Sequence, residues 1–93
     1  MQQHRYKMTV EHIEDKNGHS INEKPMVFNM ASHDDIAEIL SKMQNSFDEN
    51  TNMRLIVGLK LLGEVILENK NQPFFNQLDP HFREIMKVVK GKK

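Results

Sequence analysis

The sharpest polar cluster in the sequence is His33-Asp34-Asp35, one imidazole beside two carboxylates. Such groups could bind a divalent metal or relay a proton. A helix start accounts for the same residues more simply, because carboxylates there satisfy free backbone N–H groups and suit the positive end of the dipole. Adjacent residues on a helix also point in different directions, so the three cannot converge on one ion unaided. The sequence therefore favours capping over ligation. The other histidines add no metal spacing. His4 and His12 stand about 27 Å apart along an extended strand, and His19 and His81 fall in a loop and a first helical turn. With no cysteine in the chain, thiolate sites and disulfides are excluded.

Other chemical candidates are equally plain. Lys60 and Glu64 read as an i,i+4 ion pair on a wet face rather than an acid–base pair. Gly58 and Gly63 fall inside a helical stretch and lack a phosphate-loop pattern, so close helix packing is their expected role. No serine or threonine lies in a nucleophile motif. No cofactor, metal site or catalytic residue is assigned, and the balance is against an enzyme. Phe74-Phe75 after Pro73 could anchor a partner, with one ring buried and the other partly exposed.

The elements that position these residues follow from periodicity. From residue 3 to 14 the chain alternates, with His4, Tyr6, Met8, Val10 and His12 on one face and Arg5, Lys7, Thr9 and Glu11 on the other. Asp15-Lys16-Asn17-Gly18 is a turn signal, and Met26, Phe28 and Met30 then share a face of a second strand. An antiparallel hairpin over about 3–31 is expected. A lone hairpin is not stable in water, so something must cover its apolar face. Ser32, with Asp35 three residues on, predicts a capped helix over 33–47 along the stripe Ile36, Ile39, Leu40, Met43 and Phe47, with Glu38 and Lys42 paired on the wet side. A long helix over 53–69 centres its apolar face on Leu55, Leu59, Leu62 and Ile66. Asp79-Pro80 reads as N-cap and first helical residue of a last helix over 80–90, carrying Phe82, Ile85, Met86 and Val89 and stopped by Gly91. The expected fold is α+β: one domain, 1–93, with an N-terminal hairpin packed on about three helices in the order ββααα.

Composition narrows the functional classes. The 93 residues carry 13 basic and 13 acidic side chains, a formal charge of zero. The first 46 residues hold five basic against seven acidic groups and the rest eight against six, too even for a nucleic-acid field. Only the end is basic, with five cations and one anion from Arg83 to Lys93, which suits the negative end of a helix dipole. The most apolar stretch, Met53 to Leu67, is too short to span a bilayer and is broken by Arg54, Lys60 and Glu64. Residues 1–10 carry Arg5 and Lys7 and no apolar run, so no signal peptide is expected. The expectation is a cytoplasmic protein without membrane partners.

Four stretches, His4-Arg5-Tyr6, Ser32 to Ile36 (SHDDI), Gly58 to Val65 (GLKLLGEV) and Glu68 to Phe75 (ENKNQPFF), resemble a family of small bacterial proteins catalogued only as a domain of unknown function. The resemblance runs over nearly the whole chain in the same order. It implies a stand-alone bacterial protein and brings no activity, cofactor or site residue. Function must then be read from surfaces. The first reading is a non-catalytic interaction module acting as a homodimer, since the long helix is apolar almost all round and a two-stranded hairpin has free edges. Its candidate interface is Val57, Leu61, Leu67, Phe74 and Phe75, or the first strand paired with its symmetry mate; an unidentified protein partner is the other possibility. The second is a nucleic-acid-associated protein using Arg5, Lys7 and the C-terminal lysines Lys87, Lys90, Lys92 and Lys93. The third is a small metal protein or enzyme using His33, Asp34 and Asp35.

Overall fold

The computed structural model describes residues 3–43 and 47–91. Its order is two strands and then three helices, an α+β arrangement: β1 (His4–Val10), β2 (Met26–Ser32), α1 (Ile36–Ser41), α2 (Glu49–Glu68) and α3 (Pro73–Gly91). The chain falls into two compact units, Met1–His33 and Asp34–Lys93.

In the first unit the strands pair antiparallel from His4 opposite Ser32 to Val10 opposite Met26. Residues directly opposite share a face. One face therefore carries Tyr6, Met8 and Val10 with Met30, Phe28 and Met26, as the alternation predicts, and the other carries Arg5, Lys7 and Thr9 with Ala31, Asn29 and Val27. The expected turn is present. Asp15 Oδ1 accepts from the backbone N–H of Asn17 and of His19, each at 2.9 Å, and Gly18 takes a φ of 83° that a side chain would resist. The strand itself stops at Val10 rather than residue 14. Between the ladder and the isolated Glu14–Ser20 bridge, residues 11–13 face residues 21–25, and three residues cannot stay in register with five. His12 thus leaves the predicted strand face, and its Nδ1 lies 2.9 Å from Glu23 Oε1.

In the second unit, α1 starts later and ends sooner than the sequence suggests. Its N-cap is Asp35, whose Oδ1 accepts from Ala37 and Glu38 N–H at 3.0 and 3.3 Å. Ser32, the predicted cap, is the buried last residue of β2. The helix ends at Ser41, so Phe47 is not part of it; Gln44, Asn45 and Ser46, also within the predicted 33–47, lie outside the described residues. The expected Glu38–Lys42 pair forms at 3.7 Å. Asp48 caps α2 by accepting from Thr51 N–H at 2.6 Å, so that helix begins at Glu49 rather than Met53. Inside it Asn52 is buried, and its Nδ2 donates to the carbonyls of Met43 and Phe47 at 3.0 and 3.2 Å, tying the α1–α2 connection to the helix.

The corner after α2 is built from side-chain amides. Asn69 Nδ2 donates to Val65 O at 2.8 Å and Gln72 Nε2 to Asn69 Oδ1 at 3.0 Å. Pro73 then opens α3, where a missing N–H costs nothing. The helix continues through Pro80, so the predicted start at Asp79-Pro80 is interior. Asp79 instead pairs with Arg83 at 3.0 Å across the proline. Gly91 is still helical rather than a stop.

Candidate functional site

Each residue of the His33-Asp34-Asp35 cluster has its own task. Gln3 Nε2 donates to His33 Nδ1 at 2.7 Å. Asp34 forms an ion pair with Lys60, and Asp35 is the cap of α1. Among the described residues no group of three His, Cys, Asp or Glu side chains could hold a metal. Lys60 therefore does not pair with Glu64 on a wet face as predicted. It is largely buried, points to a partner 26 residues earlier, and lines a groove with Glu64.

That groove runs between α2 and α3 and encloses about 320 Å³. Its apolar wall includes Leu59, Leu67, Phe82 and Met86, and its charged rim Lys60, Lys70, Arg83, Glu64 and Asp79. Gly63 makes the close approach possible. A Cβ there would lie 2.9 Å from Phe82 Cζ, inside van der Waals contact. The predicted packing role thus holds for Gly63. It does not hold for Gly58, around which a Cβ would meet nothing within 4 Å. The buried line of α2 is rotated accordingly by roughly 50° from the predicted one. It follows Asn52, Ile56 and Ile66, with half-buried Gly63 beside them, and Leu62 is left exposed.

The predicted interface residues divide. Leu67 and Phe74 are exposed, whereas Val57, Leu61 and Phe75 are half-buried. Phe74 and Phe75 stand edge to face, with centroids 5.1 Å apart at 81°. The sheet contributes a second apolar surface that side-chain periodicity alone could not rank. Along its apolar face Tyr6, Met8 and Met30 are half-buried, while Val10, Phe28 and Met26 are 45, 41 and 65% exposed. On the opposite face Arg5 and Lys7 are exposed. Of the cations invoked at the C-terminal end, Lys87 pairs with Glu84 at 3.0 Å, and Lys92 and Lys93 lie outside the described residues.

Among the described residues no helix is long and apolar enough to cross a membrane. A family described as a domain of unknown function, DUF3861, matches residues 4–91. The crystal structure of a protein of unknown function from Pectobacterium atrosepticum is similar to this chain at 27% identity and a TM-score of 0.77. The likeness covers 97% of this chain and 99% of that one. No curated protein matches the chain.

Proposed function

Because the chain belongs to the DUF3861 family, which brings no activity with it, we propose a function from its own surfaces: a non-catalytic interaction module that works as a homodimer. One observation carries this reading. The buried apolar side chains among the described residues are three isoleucines, Ile36, Ile56 and Ile66, whereas Met26, Phe28, Leu67 and Phe74 are left in solvent. Burial of apolar area is the dominant favourable term in folding and association alike, and a two-stranded sheet needs further cover to be stable. A second copy supplies both without any new sequence. The reading is of a bacterial, cytoplasmic protein, supported by the family resemblance and a cysteine-free composition. Light scattering on the eluting protein at tens of micromolar tests it. A mass twice that of the 10.9 kDa chain is expected, and a monomer at that concentration overturns the reading.

A further inference from the structure

We propose that two copies join along the outer edge of β2, pairing it antiparallel with itself about a two-fold axis at Asn29. This inference rests on the homodimer reading and adds its seam. In a two-stranded sheet each strand has one free edge, and the two edges here differ. β1 carries Arg5 and Lys7, the kind of charge that keeps an edge from pairing. β2, Met-Val-Phe-Asn-Met-Ala-Ser, carries none. Among the described residues the main chain of 26–31 hydrogen-bonds only along β1, so its outward N–H and C=O groups are open to a partner strand.

The β2 sequence is self-complementary in one register. Centred on Asn29, the pairing sets Phe28 against Met30 and Val27 against Ala31, so each opposed pair falls on one face and no charges meet, and it stops short of Ser32, which is buried. An aromatic ring against methionine is a favourable cross-strand pair, and the two Asn29 amides can bond each other. The same operation at the middle of β1 is opposed by charge. Centred on Lys7 it opposes lysine to lysine, and centred on Tyr6 it opposes Arg5 to Lys7 twice. The product is a four-stranded sheet, β1-β2-β2-β1, whose apolar face gathers Met26, Phe28 and Met30 from both copies. Four strands with one apolar face pass the size at which a sheet holds by itself.

The cysteine-free chain makes the test clean. Residues opposed at the two-fold lie about 4.5–5.5 Å apart at Cα, within disulfide reach. Under mild oxidation Asn29→Cys is expected to cross-link to a covalent dimer, and Lys7→Cys is not. Asn29→Lys, which sets two ammonium groups face to face, is expected to raise the dimer dissociation constant at least about tenfold, while Leu67→Lys leaves it unchanged. A wild-type dimer in which Asn29→Cys fails to cross-link overturns the β2 seam and leaves the homodimer reading standing. So does one that survives Asn29→Lys but is split by Leu67→Lys. A monomeric wild type overturns both. Circular dichroism checks each variant, and the cysteine result decides if Asn29→Lys does not fold.

Discussion

In the hairpin unit the fixed points are polar and local. Asp15 gathers two N–H groups of its own turn, Gly18 supplies the left-handed residue, and seven rungs of backbone pairing follow. In the helical unit they are apolar and distant in sequence. Ile36, Ile56 and Ile66 are buried, and Phe82 of α3 lies against the bare backbone of Gly63 in α2. Turn and ladder fix where the hairpin's side chains point without removing many from water. Helix packing removes Ile36, Ile56 and Ile66 from water, while Leu62, Leu67, Phe74 and Val88 of the same unit stay exposed. Burial is thus unequal within one chain: the buried apolar side chains of the described residues all lie in the helical unit, whereas exposed ones occur in both.

The widest separation between the units is expected from truncating an apolar side chain in each. Ile66, 1% exposed, should cost about 2–5 kcal/mol as Ile66→Ala. Met26, 65% exposed, should change folding stability by no more than about 0.5 kcal/mol as Met26→Ala, read by urea unfolding at low protein concentration. Equal losses at the two positions would mean that Met26 is covered within its own chain. The two helical glycines give the next contrast. Gly63→Ala should destabilise by about 1–3 kcal/mol, because its Cβ meets Phe82. Gly58→Ala should stabilise by about 0.5–1 kcal/mol, since it gains helix propensity in open space. A shared sign in thermal melts would break the distinction.

The sequence shows best what is local. The 15–18 turn, the faces of both strands and the Glu38–Lys42 pair all depend on neighbours within a few residues. It misleads where two local signals compete. Ser32 and Asp35 are both good caps three positions apart, and pairing of Ser32 with His4 keeps it in the strand. Asp79-Pro80 imitates a helix start, but Pro73 has already supplied one. Periodicity counts glycine as neutral, so it could not place Gly63 against Phe82 beside the buried line. Lys60 pairs with Asp34, 26 residues away, which no spacing rule reaches. The exposed apolar sheet face was half legible: alternation assigns its members, and only the structure separates half-buried Met30 from exposed Met26.

Smaller effects sharpen the claim that capping, rather than chemistry, accounts for the acidic residues of the helical unit. Asp35→Ala should cost about 1 kcal/mol and Asp35→Asn much less, because an amide oxygen accepts the same two N–H groups. Equal losses for the two variants in unfolding curves would mean that the charge of Asp35, rather than its hydrogen bonds to Ala37 and Glu38, holds the start of α1. Asp48 allows the same idea to be tested through pH. The Thr51 backbone N–H holds its carboxyl below the usual aspartate value, with the Thr51 side chain and Arg54 acting the same way. Between the folded and unfolded values the unfolded chain therefore binds more protons, so stability rises with pH there. The contribution is complete above the unfolded value of about 4 and is lost as pH falls through the lower folded value. Asn at position 48 still caps but does not titrate. Unfolding of wild type and Asp48→Asn in parallel, from neutral pH to about 2, should give curves that converge as the solution becomes acid. Curves that stay parallel would mean that the cap bond alone, and not the charge behind it, starts α2.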